Sequence, residues 1–335
     1  MTEPGSLVLV TGANGFIGSH LTEALLARGC RVRCMVRRTS NLTFIRHLPV
    51  EWVYAALEDG KELRAAVGGV DAVCHCAALT RALDEETFLR INTRGVEALA
   101  RACLEANPRL RRFLFVSSVA AAGPSDGPDD VVDELRPPRP VTWYGKSKLA
   151  AEQALQSVAA AEDGRLPVTI IRPAAVYGPR DKDFRPYFRA IRLHLNLQLG
   201  RSVRCVSLIY VCDLVDLLLR ALEDERAVGQ IYFGCGQAST YAELAETIAR
   251  VLHKRPVRIN VPLAALRPLA AASKVKGRLT GRPALLNEQR LLDVRQRSWL
   301  YSGDKARREL GFVAKYDLET GVRETAEWYR REGWL

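Results

Sequence analysis

Uninterrupted aliphatic runs alternate with stretches of helical period through the first half of this chain. Leu7-Val8-Leu9-Val10 has no polar position, which predicts a strand covered on both faces. A helix is predicted over 17–28 and a second strand over 31–36, and the alternation continues to about Tyr177. Strands that alternate with helices in this way predict an α/β fold built on a doubly wound parallel sheet. Later strands are predicted over 203–209 and 230–233. Between residues 123 and 140 Pro, Asp and Gly interrupt every period, so a loop is expected there.

The first strand runs into Thr11-Gly12-Ala13-Asn14-Gly15-Phe16-Ile17-Gly18. Glycines at these spacings suit a tight turn, a close approach of backbone to pyrophosphate, and close packing of helix on strand. The following helix would offer its first N–H groups to phosphate. Strand, Gly-rich turn, helix and second strand in that order read as a dinucleotide-binding unit. The second strand ends on Arg37-Arg38 and not on an acid. A carboxylate would bind ribose hydroxyls and repel a 2′-phosphate, whereas two guanidiniums attract one. NADP is therefore expected, with NAD as the alternative.

Tyr144 and Lys148 lie four residues apart in a helical pattern, hence on one helix face. A phenol titrates near pH 10 or so in isolation, and a neighbouring ammonium favours its phenolate. The pair suits proton transfer at neutral pH. Its plain alternative is two half-exposed helix residues.

Together these features resemble the extended short-chain dehydrogenase/reductase family, within the NAD-dependent epimerase/dehydratase superfamily, over nearly the whole chain. The family's Gly-x-x-Gly-x-x-Gly turn matches Gly12, Gly15 and Gly18, and its Tyr-x-x-x-Lys pair matches Tyr144 and Lys148. Its catalytic serine follows the fifth strand, here Arg112-Phe113-Leu114-Phe115-Val116-Ser117-Ser118, and the distance to Gly123 favours Ser118 over Ser117. Asn92-Thr93-Arg94-Gly95 looks like the site of its catalytic asparagine. His75-Cys76-Ala77-Ala78, Arg172-Pro173 and Tyr177-Gly178-Pro179 are further matches in the family's order.

The resemblance implies that Tyr144 is the proton donor and that Lys148 lowers its pKa and binds the nicotinamide ribose. It also implies that Ser118 hydrogen-bonds the substrate oxygen and that Asn92 holds a water leading to bulk solvent. Cofactor contacts are implied for Gly12, Asn14, Gly15, Phe16, Ile17, Gly18, Arg37, Arg38, Leu57, Ala77, Ala78, Tyr144, Lys148, Pro173 and Val176. Residues 1–178 and 207–235 are expected to form the Rossmann-type domain. Residues 179–206 and 236–335 are expected to form a smaller, discontinuous substrate lobe.

Departures from the family narrow the chemistry. Sugar-nucleotide dehydratases carry Asp-Glu after the catalytic Ser or Thr, but this chain has Ser118-Val119-Ala120-Ala121-Ala122. Where epimerases commonly place an arginine for the nucleotide diphosphate, Val206 stands, with Arg204 nearby. Ala56 replaces the Asp that many members offer to adenine. The stretch from 285 to 312, with Asn287-Glu288 and Gly303-Asp304-Lys305-Ala306, looks most like the branch of 3β-hydroxysteroid dehydrogenases and dihydroflavonol reductases. The expected activity is an NADP(H)-dependent oxidoreductase acting on a carbonyl–alcohol pair of a hydrophobic or amphipathic substrate. A nucleotide-sugar epimerase is the enzymatic alternative, and a cofactor-sensing or scaffold protein is the non-catalytic one.

At 335 residues and 48% hydrophobic content the chain can bury a core without staples. Its eight cysteines fall mostly in apolar patterns and read as reduced core residues. Cys74-His75-Cys76 alternates along a strand with no second ligand pair, so no metal is expected. No leader pattern or bilayer-length apolar run is visible, and the expected location is the cytoplasm. Much of the net charge of +11 sits between 254 and 282, around apolar 263–266 and 269–272. That segment reads first as a lobe helix with a solvated basic face, and otherwise as a peripheral membrane contact. A small-molecule substrate is the expected partner and a homodimer is left open. No module accompanies the charge that would suit nucleic acid.

Overall fold

The computed structural model describes residues 4–161, 166–199, 203–262, 268 and 288–335. Strand β1 (Leu7–Thr11) is buried at all five positions, as its unbroken aliphatic run requires. It is followed by α1 (Phe16–Ala27), β2 (Arg31–Val36), β3 (Glu51–Tyr54), α2 (Gly60–Val67) and β4 (Ala72–His75). Helix α3 (Glu85–Phe88) passes through a π-helical turn, Leu89–Arg94, into α4 (Gly95–Ala106). Then come β5 (Arg112–Val116), α5 (Val119–Ala122), α6 (Trp143–Ala161), β6 (Val168–Pro173) and β7 (Ala175–Tyr177).

The rest of the chain gives α7 (Arg185–Arg192), β8 (Leu195–Leu199), β9 (Cys205–Tyr210), α8 (Val211–Glu223), β10 (Ile231–Gly234) and β11 (Gln237–Thr240). It continues with α9 (Tyr241–Val251), β12 (Val257–Val261), α10 (Glu288–Arg295), β13 (Ser298–Trp299), α11 (Asp304–Leu310) and α12 (Leu318–Arg331).

Seven strands form one parallel sheet in the order β10-β6-β5-β4-β1-β2-β3. One face packs on α1 and α8 through Leu21, Leu25, Leu214 and Leu218, the other on α2, α4 and α6 through Leu63, Leu99 and Leu155. The chain winds outward in both directions from β1 and β4, so the crevice at their carboxyl ends is the place where such a fold binds a ligand.

A second sheet runs β11-β9-β13, with β7 also pairing on β9. Residues 207–210, expected with the dinucleotide-binding unit, run in β9 of this second sheet, whereas α8 and β10 join the large one. The apolar runs of β9 and β10 look alike in sequence, and only pairing separates them. The expected loop over 123–140 carries no helix or strand, but it bridges to the lobe at Ser125–Ser298 and Val132–Tyr301. Of the cysteines, all free, Cys212 is exposed and Cys76 and Cys205 are half-buried; the other five are buried. Burial pushes the Cys76 thiol up to about 12. Among the described residues no helix is long and apolar enough to cross a membrane.

Candidate active site

Thr142 opens α6: its hydroxyl accepts from the Gly145 N–H at 3.1 Å and its carbonyl from Lys146 N–H at 2.9 Å. A Cβ at Gly145 would stand 2.3 Å from the Ala120 carbonyl oxygen, so only glycine lets α6 approach α5 this closely. That contact sets Tyr144 against Ser118, which precedes α5. The Ser118 hydroxyl is near enough to the phenol to act on it. Ser118 Oγ also accepts from Ala120 N–H at 3.1 Å, capping α5. Phe88 packs on the Tyr144 ring, with centroids 6.2 Å apart.

Lys148 is buried one turn further along. Its ammonium donates to the Val116 carbonyl at 2.8 Å and sits 4.1 Å from the centre of the Phe115 ring. Burial lowers its pKa to about 7, while the nearby Glu152 opposes the shift. Lys148 was expected to lower the Tyr144 pKa; instead the phenol is pushed up to about 12. Burial is the main cause, the Ser118 hydroxyl works against it, and negative charge on Asp183 and Asp293 adds to it. The physical reason is that Lys148 is turned onto Val116, and removal from water outweighs the rest.

Glu152 continues the same helix face by another turn, and it was missed in the sequence. Its carboxylate binds Arg172 through Nη2 at 2.6 Å and Nε at 3.0 and 3.2 Å, and it accepts from the Ser117 hydroxyl. The spacing of Tyr144, Lys148 and Glu152 was a usable signal, but a glutamate in a helix is ordinarily a solvated one.

Asn92 is buried in the π-helical turn. Its Oδ1 accepts from Leu79 N–H at 2.8 Å, and its Nδ2 donates to the Leu79 carbonyl at 2.9 Å and to Ser147 Oγ at 3.0 Å. Both N–H groups are therefore spent on holding the strand-end loop against α6.

At the carboxyl end of β1, Gly12 has φ 65°, and a Cβ there would lie 2.7 Å from the Ala77 backbone. Thr11 Oγ1 bonds His75 Nδ1 at 2.7 Å and accepts from Ala77 N–H at 3.3 Å, tying the two strand ends together. Burial lowers the His75 pKa to about 3, so the ring is neutral. Helix α1 begins at Gly15 with no side-chain cap and no acid in its first turn. Asn14, Phe16 and Ile17 are half-buried beside it, and Gly18 packs against Gly12. Arg37 and Arg38 are exposed beyond β2, and the Arg38 guanidinium lies 5.5 Å from the centre of the Tyr54 ring. Where Ala56 leaves no side-chain acceptor, its N–H is taken by Glu62 at 3.1 Å. Leu57 is buried against Gly95, Ala78 is exposed, and Pro173 and Val176 lie at and beyond the end of β6.

The lobe supplies polar groups on the far side of Tyr144. Gln289 Oε1 accepts from Trp143 N–H at 2.7 Å. Tyr187 and Tyr241 stack with centroids 6.5 Å apart, and the Arg204 guanidinium lies 5.5 Å from the Tyr241 ring centre. Arg290 pairs with Asp293 at 3.6 Å, and Arg81 pairs with Asp183. No sequence pattern marked Tyr187, Tyr241, Arg290 or Asp293, which come from three separate elements, α7, α9 and α10. The apolar segment 263–272, expected as part of a lobe helix or a peripheral membrane contact, lies outside the described residues apart from Pro268.

Residues 8–233 match the model of the NAD dependent epimerase/dehydratase family. The chain is 30% identical to a ceramide reductase of Caulobacter vibrioides, over 100% of this chain and 98% of that protein. It is also 30% identical, over 93% of each chain, to a 4-hydroxy-2-methyl-3-oxo-4-farnesyl-3,4-dihydroquinoline-1-oxide ketoreductase of Stigmatella aurantiaca. Among solved structures, MoeE5 in complex with UDP-glucose and NAD is 27% identical, with a TM-score of 0.77 over 98% of this chain and 99% of that one.

Proposed function

From the premise that this chain belongs to the NAD dependent epimerase/dehydratase family of NAD(P)-dependent enzymes, we propose that it is an NADP(H)-dependent reductase of amphipathic ketones. The observation that carries the proposal is the approach of the Ser118 hydroxyl to the Tyr144 phenol, with Lys148 buried one turn along the same helix. Hydride arriving at a carbonyl carbon builds negative charge on its oxygen, and two hydroxyls converging there stabilise that charge and deliver a proton.

The residues fit a nicotinamide dinucleotide. The uncapped, acid-free start of α1 suits pyrophosphate, and Arg37 and Arg38 suit a 2′-phosphate. Such a cofactor supplies the hydride. The chain's own part is to orient and to move protons. Tyr144 protonates the carbonyl oxygen, Ser118 holds that oxygen, and Lys148 offers positive charge beneath them.

Similarity to a ceramide reductase and to a ketoreductase of a farnesylated quinoline supports an amphipathic substrate. One observation favours a second reading: Arg204 and Arg290 gather beside Tyr241, as an epimerase holding a nucleotide diphosphate would require. The likeness to MoeE5, solved with UDP-glucose, points the same way.

Titration with NADPH and NADH, and with Arg37→Asp, tests the cofactor. Charge-assisted phosphate contacts of about 1.5–3 kcal/mol each, reduced by exposure, predict at least a roughly tenfold preference for NADPH that the variant loses. Equal affinities in the wild type would remove the NADP assignment. Turnover of long-chain ketones set against binding of UDP-sugars decides the substrate, and tight UDP-sugar binding would move the epimerase to first place.

A further inference from the structure

Strands β8 and β12 form a two-stranded parallel sheet that belongs to neither larger one. Their register sets Leu195 beside Val257 and Leu197 beside Ile259, on one face. These four are 38, 66, 50 and 40% exposed, and Leu193 just ahead of them is 69% exposed. Asn196, on the opposite face, is buried. Single exposed aliphatics are ordinary, but neighbours gathered on one sheet face mark a surface that meets something apolar.

The surrounding charge says what that something is. Arg189, Arg192 and Arg255 are exposed beside the strands, and none is ion-paired among the described residues. No Asp or Glu occurs in residues 184–212 or 247–287. The chain has 38 acidic residues, yet both acid-free runs contain a strand of this one small sheet. An aliphatic face ringed by guanidiniums complements the interface of an anionic bilayer, where acyl chains meet phosphate.

We propose that the β8–β12 face docks this protein on anionic lipid bilayers as a peripheral contact. Helices α7 and α9, which carry the stacked Tyr187 and Tyr241, both pack against β8. Docking would therefore hold the substrate lobe at the lipid surface. The inference concerns binding alone and does not depend on the carbonyl chemistry.

Co-sedimentation of the full chain with vesicles tests it, using phosphatidylglycerol and phosphatidylcholine in equal parts against phosphatidylcholine alone. Binding to the acidic vesicles only, weakened by added salt, is expected. Arg189→Ala/Arg192→Ala/Arg255→Ala should lower the partition about tenfold or more. Leu197→Ser/Ile259→Ser should lower it as well, with an unchanged melting temperature and cofactor affinity. Wild-type protein that stays in the supernatant, or binds both vesicles equally, overturns the proposal without any variant. So does a dimer in solution that separates on Leu197→Ser/Ile259→Ser with no vesicle binding, since that assigns the face to a second copy.

Discussion

Glu152 and Arg172 form a buried ion pair that joins the catalytic helix to the strand ending at Pro173. The guanidinium bonds both carboxylate oxygens, with the shortest contact at 2.6 Å, and the two residues are 1% and 3% exposed. The same carboxylate accepts from Ser117, the neighbour of Ser118, and lies one turn from Lys148. One acidic group thus ties the end of β5, α6 and β6 together.

Removing its charge should be costly. Glu152→Gln leaves a buried guanidinium with a neutral partner, and loss of one member of such a pair costs roughly 3–5 kcal/mol. Urea unfolding measures this, with Glu152→Asp as the charge-preserving control. A loss under about 1 kcal/mol would mean that Arg172 finds other partners and that the pair does not brace the site.

The pH profile follows from Lys148. Its pKa in the folded chain is about 7, against 10.5 for an ordinary lysine. Between those values the unfolded chain holds more protons, so stability should rise with pH through that window. Below it the cost of burying the charge is present in full. The kcat/KM for ketone reduction should be flat below about pH 6 and fall above about pH 7–8 as the ammonium is lost. Glu152→Gln removes the charge that raises the Lys148 pKa, so the falling limb should move to lower pH. A profile flat through pH 9 or so would show that the charge on Lys148 is not used.

Tyr144→Phe keeps the ring beside Phe88 and removes the hydroxyl proposed as the proton donor. Turnover is expected to fall at least about a hundredfold, near 2.7 kcal/mol of barrier, with cofactor affinity within about twofold of the wild type. Steady-state kinetics and cofactor titration measure the two quantities. Retention of more than about a tenth of kcat would transfer the acid role to another group.

Gly145→Ala probes the helix contact that brings Tyr144 to Ser118. The added methyl group meets the Ala120 carbonyl at 2.3 Å, so α6 must shift. Overpacking of this kind costs about 1–3 kcal/mol. The kcat should drop with it, while the affinity for the nicotinamide cofactor should stay. Wild-type kcat and stability together would mean that the two helices can part without consequence.

Much of the fold was legible because its signals are local. An unbroken aliphatic run such as 7–10 can only be a covered strand, and Gly12, Gly15 and Gly18 state a backbone shape that side chains would forbid. Helical period alone put Tyr144 and Lys148 on one face. What the sequence could not decide depends on approach between distant segments. The pairing of β9 with β7, β11 and β13 is invisible in an apolar run that would suit either sheet. The burial of Glu152 depends on Arg172 arriving from another strand, since a helix glutamate without a cation opposite it remains in water. The sense of the Tyr144 pKa shift was read from charge spacing and came out reversed, because the extent of desolvation is set by everything packed around the ring. Tyr187, Tyr241 and Arg290 share no period and no motif. They meet only because α7, α9 and α10 come together in space, a relation that no window along the chain contains.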